Sequence, residues 1–252
     1  MKAFSMNGPD QSDLRKGLAR NLALVEESIT AACRTAGRPR TEVELVAVSK
    51  THPAALIVEA VGLGLHLFGE NRVQEFAAKS VELAPGIRGQ IDAHLIGHLQ
   101  SNKAARAVEL FDGIDSLDSL KLAEKLNEAA ANYGKRLPVL LEIKLSHEET
   151  KAGLKPDSAE LAELLERLPS LAGLNVQGLM TIAPLDVTEE QTRGCFRTLH
   201  ILRDRISQQH VRLNIPVLSM GMSGDFPLAI AEGATRIRIG TALFGTRSGY
   251  PA

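Results

Sequence analysis

The stretch ELVAVSKTHP (44–53) decides the fold of this chain. An aliphatic strand, Glu44–Ser49, runs into a turn that reads Ser-Lys-Thr-His-Pro and contains no glycine, and a helical segment begins near Pro53. An open doubly wound sheet usually carries a glycine-rich turn after its first strand, whereas a closed (β/α)8 barrel does not need one there. The stretch therefore favours the barrel, and the open sheet is the alternative.

Eight strand-like runs follow one another along the chain, and each leads into a polar or glycine-containing turn and an amphipathic helical segment. The predicted strands are Glu44–Ser49, His66–Phe68, Ala93–Ile96, Gly113–Asp115, Pro138–Ile143, Val176–Thr181, Pro216–Ser219 and Thr235–Ile239. The helical segments begin near Pro53, Arg72, Ser101, Ser119, Ser158, Thr188 and Asp225. Parallel strands with intervening helices close most economically into a barrel, so the predicted fold is α/β, a single TIM barrel.

An additional helix precedes the first strand. It begins at Ser12, and Gly37 and Pro39 end it. Its apolar residues recur at helical spacing, at Leu14, Leu18, Leu22, Val25 and Ile29. Residues 1–10 are predicted to be a disordered leader, and because no linker or repeat beyond the βα unit interrupts the rest, residues 1–252 are predicted to form one domain.

Composition and charge exclude several classes of protein. The chain has 29 Lys and Arg residues against 30 Asp and Glu residues, so it has no basic field for nucleic acid. No apolar run reaches the roughly 18 residues of a membrane span, and the N-terminus is too polar for a signal peptide. Cys33 and Cys195 have no CxxC partner and are predicted to be core residues, which indicates a reducing cytoplasm.

Lys50 is the first candidate for chemistry. Residues at the C-terminal ends of barrel strands form the active face, and Lys50 ends the aliphatic run LVAVSK. Partial desolvation would lower the pKa of Lys50, and a neutral amine is what attack on an aldehyde requires, so Lys50 is predicted to form a Schiff base. A lysine that extends into solvent at the strand end is the alternative.

Two glycine-containing segments, SMGMSGD (219–225) and RIRIGTALFG (236–245), follow the seventh and eighth strands, where barrels often bind phosphate. Backbone N–H groups near helix N-termini can point at phosphate oxygens. Those predicted to do so belong to Met222, Ser223, Gly240 and Thr241. The alternative is two ordinary βα turns, with Asp225 as an N-cap.

A closed barrel places the eighth strand beside the first, so Lys50 and the phosphate segments would suit a phosphorylated aldehyde. Arg238, on the same strand face as Arg236, is predicted to donate to a ring nitrogen and to keep a pyridine nitrogen unprotonated. A buried ion pair of Arg238 with Asp115 or Glu70 is the alternative.

The segment FGENRVQE (68–75) places Asn71 after the second strand, where it could hydrogen-bond a phenolic oxygen, serve as a helix N-cap, or do both.

The histidines of HLIGHLQSNK (94–103) lie at a strand end with no completing ligand, so no metal site is predicted. The charged stretch Leu145–Pro156 is predicted to be a loop over the fifth strand that could act as a lid, with Lys144 and Lys151 solvated.

Six motifs in the same order resemble the YggS-type family of pyridoxal phosphate homeostasis proteins over residues 43–247. They are AVSKTHP (47–53), FGENRVQE (68–75), HLIGHLQSNK (94–103), GLMTIAP (178–184), LSMGMSGDFPLAI (218–230) and RIRIGTALFG (236–245). The resemblance implies a barrel like the N-terminal domain of fold-type III alanine racemases, with pyridoxal 5′-phosphate on Lys50. It also implies Arg238 at the pyridine nitrogen and Asn71 near the phenolic oxygen. The implied phosphate ligands are Met222, Ser223, Gly240 and Thr241.

The same resemblance marks a missing group. Racemases of this kind use a catalytic tyrosine opposite the lysine, and the only tyrosines here are Tyr133, within or just after a helix, and Tyr250, in the tail. Two-base proton transfer needs such a second group. The resemblance therefore implies cofactor supply and amino-acid balance, with no catalytic residue assigned, apo-enzymes as recipients of the cofactor, and a monomer as the expected state. A racemase, a cofactor-free Schiff-base aldolase and a non-catalytic interaction protein are the alternatives.

Overall fold

Eight parallel strands close into a barrel within residues 11–146 and 152–246, the residues that the computed structural model describes. The strands are β1 (Glu44–Val48), β2 (Leu67–Glu70), β3 (Asp92–Leu95), β4 (Gly113–Leu117), β5 (Leu137–Glu142), β6 (Leu174–Met180), β7 (Val217–Met222) and β8 (Arg236–Ile239). Each strand pairs with the next, and β8 pairs with β1 with Val46 opposite Arg238. The barrel prediction is confirmed, and the open sheet is wrong.

Helices connect the strands and cover the outside of the barrel. They are α1 (Gln11–Thr35), α2 (Ala54–Val61), α3 (Val73–Glu82), α4 (Pro85–Arg88), α5 (Ala104–Leu110), α6 (Leu120–Asn132), α7 (Ala159–Arg167), α8 (Glu189–Gln209), α9 (Phe226–Ala231) and α10 (Thr241–Phe244). Short 3₁₀ segments lie at Arg40–Glu42, Ser101–Lys103 and Leu168–Ser170. The predicted strands and helix starts lie within a few residues of these bounds.

Side-chain caps explain why several helices begin where they do. The Ser119 hydroxyl accepts from the Leu122 N–H at the start of α6, and Ser158 does the same for Leu161 in α7. Thr188 and Gln191 form a reciprocal capping box before α8. Each cap supplies an acceptor to an N–H group that a helix start leaves unsatisfied, so sequence-local chemistry sets these starts.

Helix α1 is the additional N-terminal helix, and its apolar face is buried against the barrel. Leu18, Val25 and Ile29 are buried as the spacing predicted, and the Asn21 amide donates to the Leu243 carbonyl at 3.0 Å. Leu14 is instead only half-buried. Gly37 ends the helical stretch with φ +67, a conformation that glycine adopts without strain. The predicted leader, residues 1–10, lies outside the described residues.

The lower, N-terminal half of the barrel interior contains charged groups. His94, on β3, lies with its Nδ1 2.6 Å from Asp115 Oδ1 on β4, and Arg236 Nη1 lies 3.4 Å from Asp115 Oδ2. The Arg236 guanidinium also pairs with Glu44 at 2.7 Å. The sequence predicts His94 at a strand end. In the structure its side chain is buried in the interior of the barrel. Burial alone would lower the pKa of His94, but the charge of Asp115 and its hydrogen bond raise it to about 9.

The two cysteines are buried in the core, as predicted, with Cys33 in α1 and Cys195 in α8. In the described part of the chain, no helix is both long and apolar enough to cross a membrane.

We expect His94→Gln to destabilise the protein in a pH-dependent way. The pKa of His94 is about 9 in the folded protein and about 6.5 in an unfolded chain. The protonated imidazole therefore stabilises the fold fully below about pH 6.5, and this contribution, on the order of 3 kcal/mol, is lost as the pH rises through about 9. Urea unfolding of both proteins at about pH 6.5 and about pH 9.5 measures the difference. Parallel stability curves across this range would contradict a charged His94.

Candidate functional site

A cavity of about 470 Å³ opens at the C-terminal end of the barrel strands. It is lined by all seven residues that the sequence predicted for a binding site. They are Lys50, Asn71, Met222, Ser223, Arg238, Gly240 and Thr241. The structure therefore brings together side chains from the first, second, seventh and eighth βα units.

Lys50 lies in a tight turn between β1 and α2. Strand β1 ends at Val48, and the His52 N–H donates to the Ser49 carbonyl at 3.1 Å, which closes the turn around Lys50 and Thr51. Thr51 has φ +66, as the third residue of a type II turn does. Lys50 is half-buried and lines the cavity, so its side chain does not simply extend into bulk solvent.

The two segments after β7 and β8 supply backbone donors to the same cavity. The N–H groups of Ser223, Gly240 and Thr241 have no hydrogen bond to any other residue that the structure describes. The Met222 N–H, in contrast, donates to Asp225 Oδ1 at 2.6 Å. Three of the four predicted amides are therefore available to an anion, and the amide of Met222 is already used by Asp225.

Asp225 has this role because of the shape of the turn after β7. It is the N-cap residue of α9 by position, as the alternative interpretation had it, but its side chain makes no cap hydrogen bond to the helix. The end of β7 that leads into this turn contains Gly221, which has φ +91, and a Cβ there would lie 2.6 Å from Ala229 Cβ. Only glycine fits this position, which brings Met222 back within reach of the Asp225 carboxylate.

Arg238 lies at the bottom of the cavity, buried by the barrel wall. Its Nη1 donates to Ser219 Oγ and its Nη2 donates to the Thr181 carbonyl, both at 2.7 Å. Burial lowers the pKa of Arg238, which the charge of Asp115 partly offsets. The ion pair with Asp115 that the sequence allowed for Arg238 is formed instead by Arg236, one layer below.

Asn71 follows β2 and faces the cavity. The N-cap residue of α3 is Arg72, and no side chain caps that helix, so the N-cap interpretation of Asn71 is wrong. The backbone of Asn71 packs closely on Gly97, where a Cβ would lie 2.4 Å from the Asn71 carbonyl oxygen. Gly97 thus lets the loops after β2 and β3 approach each other, and the Asn71 side chain lines the cavity between them.

Glu142 is a cavity residue that the sequence did not reveal. It is the last residue of β5, and its side chain is buried and lines the cavity. Burial, together with the nearby charge of Asp118, raises the pKa of Glu142 to about 7, against the lowering effect of Arg238 and His98. The signal in the sequence was a carboxylate within the aliphatic run LPVLLEIKL (137–145), at a predicted strand end.

Lys144, which the sequence predicts to lie in a solvated loop, is half-buried and also lines the cavity. Its backbone N–H donates to the Leu154 carbonyl at 2.9 Å, and the Leu154 N–H donates to the Glu142 carbonyl at 2.8 Å. These bonds fix the returning end of the predicted loop 145–156 beside the cavity. Residues 147–151, including Lys151, lie outside the described residues.

Tyr133 is the C-cap residue of α6 and is half exposed, and it does not line the cavity. Tyr250 lies outside the described residues.

His98 is exposed, and its Nδ1 lies 2.8 Å from Asp118 Oδ2. Among the described residues, no group of three histidine, cysteine or acidic side chains is placed to hold a metal ion.

The chain is similar in sequence to curated bacterial proteins along nearly its whole length. It is 40% identical over 240 residues to the pyridoxal phosphate homeostasis protein of Pasteurella multocida, covering 91% of this chain and 97% of that one. It is 42% identical over 226 residues to the protein of the same name from Aquifex aeolicus, covering 90% of this chain and 96% of the relative.

Solved structures support the same relationship. PipY of Synechococcus elongatus with PLP bound superposes with a TM-score of 0.77 at 43% identity, and the match covers 90% of this chain and all of that chain. An alanine racemase of Clostridium difficile superposes with a TM-score of 0.68 at 16% identity, covering 94% of this chain and 58% of that one, and shows the shared fold.

The family described as "Alanine racemase, N-terminal domain" matches residues 21–248. With this match and relatives at about 40% identity, the chain belongs to the alanine racemase N-terminal domain family and, within it, to the pyridoxal phosphate homeostasis proteins.

Proposed function

We propose that the chain binds pyridoxal 5′-phosphate, holds it covalently on Lys50, and serves in the supply of this cofactor and in amino-acid balance. The observation that carries the proposal is a single cavity in which Lys50 and Arg238 meet three backbone amides that donate to no other described residue. The names of the relatives and the PLP-bound structure of PipY support the same cofactor.

The chemistry of the donor set fits this cofactor. An aldehyde needs an amine, which Lys50 supplies, and a phosphate group needs several N–H donors, for which Ser223, Gly240 and Thr241 have amides available. A volume of about 470 Å³ lies within the range of about 300–1,000 Å³ that is usual for small-molecule sites.

Each side chain then has a defined task. The Lys50 ε-amine would hold the cofactor by a bond to its aldehyde carbon, formed with loss of one water molecule. An arginine stays protonated in proteins, so Arg238 would donate a hydrogen bond to the ring nitrogen and would place no negative charge beside it. Its bonds to Ser219 and Thr181 hold the guanidinium in one orientation. Asn71 donates to the phenolic oxygen.

When bound, the cofactor supplies an electrophilic carbon and a conjugated ring that can withdraw electrons from an amino acid. Arg238 at the ring nitrogen limits this withdrawal, because the nitrogen then carries no proton. This arrangement favours holding and delivering the cofactor, with apo-enzymes that need it as the recipients.

We also propose that residues 1–252 form one cofactor-binding domain that acts as a monomer in the cytoplasm. Support comes from the family match, which extends over 21–248 without a break, and from the buried thiols of Cys33 and Cys195, which suit a reducing compartment.

We expect Lys50→Ala to abolish covalent retention of the cofactor. Without the ε-amine no bond to the aldehyde carbon can form, so the purified variant should be colourless where the wild type is yellow. Reduction with borohydride followed by peptide mass mapping should place the cofactor on Lys50 in the wild type.

Lys144→Ala is the matched control, because Lys144 is a second lysine that lines the same cavity. It should keep the visible absorbance and the label on Lys50. Retention in Lys50→Ala of the Schiff-base absorbance, with the cofactor still fixed covalently to the protein by borohydride, would sink the assignment of Lys50.

The double variant Ser223→Ala, Thr241→Val should bind pyridoxal 5′-phosphate about tenfold more weakly, which corresponds to about 1.4 kcal/mol. It loses two hydroxyl donors beside the unbonded amides while the backbone keeps its path. Equilibrium titration with pyridoxal, which lacks the phosphate, is the control and should give the wild-type affinity. Equal losses for both ligands would place the phosphate elsewhere in the cavity.

Glu142→Gln should change how cofactor affinity depends on pH. The pKa of Glu142 is about 7, so its carboxylate becomes charged as the pH rises and then repels an anionic ligand in the same cavity. Two charges about 15 Å apart at an effective dielectric near 20 interact by about 1 kcal/mol.

The ratio of the dissociation constants of wild type and Glu142→Gln should therefore rise by about fivefold between about pH 6 and about pH 8. Taking this ratio cancels the titration of the cofactor itself. A constant ratio across this range would show that Glu142 does not titrate against the ligand.

A further inference from the structure

A second charged cluster lies directly behind the turn that carries Lys50, outside the cavity. Lys79, on α3, is buried, and its Nζ lies 2.8 Å from Glu70 Oε1 and 2.7 Å from Glu75 Oε1. None of these three residues lines the cavity. Their charges therefore have no direct contact with a ligand there.

The cluster reaches both peptide groups that flank Lys50. Lys79 Nζ donates to the Ser49 carbonyl at 2.8 Å, on the N-terminal side of Lys50. The Thr51 N–H, on the C-terminal side, donates to Glu75 Oε1. The Ser49 N–H still donates to the Gly69 carbonyl of the neighbouring strand. Beyond that bond, these two contacts and the turn bond from the His52 N–H hold the backbone of Lys50.

The turn needs such support because of Thr51. A φ of +66 is unfavourable for a residue with a β-branched side chain, and a type II turn normally has glycine or asparagine at this position. A residue in such a conformation persists only when its surroundings determine it. The bond from the Thr51 N–H to Glu75 is one such contact, in addition to the turn bond from the His52 N–H to the Ser49 carbonyl.

Burial of the charged groups of this cluster lowers the stability of the fold. Glu70 accepts from Lys79 and from Ser49 Oγ through Oε1, while its Oε2 is buried with no hydrogen-bond partner among the described residues. Burial raises the pKa of Glu70, which Lys79 and Ser49 only partly offset. A buried charged group with an unsatisfied oxygen weakens a fold, so a functional reason for it is called for.

We propose that Lys79, Glu70 and Glu75 are positioning residues for Lys50. They hold the strained Ser49–His52 turn so that the Lys50 side chain enters the cavity, with Glu75 as the group that keeps Thr51 at positive φ. The proposal rests on the proposed function, in which Lys50 bonds the cofactor.

The test compares Glu75→Ala, Glu75→Gln and the double variant Thr51→Gly, Glu75→Ala. The first readout is the initial rate at which Lys50 of cofactor-free protein becomes labelled by pyridoxal 5′-phosphate, stopped with borohydride and counted by peptide mass mapping. The second is amide hydrogen exchange of Thr51 in the cofactor-free protein. Glu82→Ala is the matched control, because Glu82 is an exposed glutamate on the same helix.

We expect Glu75→Ala to label Lys50 about tenfold more slowly and to lose protection of the Thr51 amide. Glu75→Gln keeps an acceptor oxygen for that amide and should label at a rate close to that of the wild type. The double variant should regain most of the rate, because glycine adopts positive φ without Glu75. A merely structural role for Glu75 predicts no such recovery.

Each outcome separates the two proposals. If the wild type is labelled on Lys50 and Glu75→Ala is labelled equally fast, the positioning role is overturned and the proposed function stands. If Glu75→Ala folds poorly, a Glu75→Gln protein that has lost protection of the Thr51 amide and yet labels Lys50 at the wild-type rate also overturns it. If the wild type is not labelled on Lys50, the proposed function itself fails, whatever the exchange of the Thr51 amide.

Discussion

Pairing of β8 with β1 is the constraint on which the site depends. The register places Val46 opposite Arg238 and Ala47 opposite Ile239, so the chain leaves both strands at the same level. A Cβ on Gly240 would lie 3.4 Å from the Val48 carbonyl, which shows how closely the end of β8 follows the end of β1. Without this closure, Lys50 would lie far from the residues that complete its cavity. The ring of His52, next to the Lys50 turn, also lies 5.3 Å from that of Phe244 after β8.

The interior of the barrel is divided into two electrostatic layers. In the lower layer, Asp115 compensates His94 and Arg236, and all three are buried. In the upper layer, Arg238 is held by neutral acceptors, Ser219 Oγ and the Thr181 carbonyl. A guanidinium that hydrogen-bonds neutral groups can still form an ion pair with an anionic ligand. The guanidinium of Arg236 already pairs with the carboxylates of Glu44 and Asp115. The two arginines of RIRI therefore have different surroundings although they share a strand face.

The fold and most of the cavity could be predicted from the sequence because they follow from local patterns. Eight alternating strands and helices, with no glycine-rich turn after the first strand, favour a barrel, and in a barrel Lys50, Ser223 and Gly240 converge at one end. What could not be predicted depends on side-chain contacts between distant segments. The use of the Met222 amide by Asp225 depends on the path of the chain at Gly221, and the elevated pKa of Glu142 depends on burial.

The N-cap interpretation of Asn71 was wrong for a related reason. Asparagine is favoured at helix starts. Here the helix begins one residue later, with Arg72 at the N-cap position, and the backbone of Asn71 packs on Gly97. The charged cluster behind Lys50 could not be predicted from the sequence either. Lys79 and Glu75 lie on an ordinary amphipathic helix, and only their contacts with Ser49 and Thr51 reveal their role.

Two lysines line one cavity, and their backbones distinguish them. Lys144 follows β5, and its amide bonds the returning loop at Leu154, an ordinary continuation of sheet pairing. Lys50 follows β1 in a turn with an unfavourable φ at Thr51, held by the buried Lys79 and the half-buried Glu75 of the next βα unit. A protein that needed only a positive charge in its cavity would gain nothing from such a turn. A lysine that must bring its amine to one carbon atom requires a fixed starting point, because its four-carbon side chain is otherwise free to rotate.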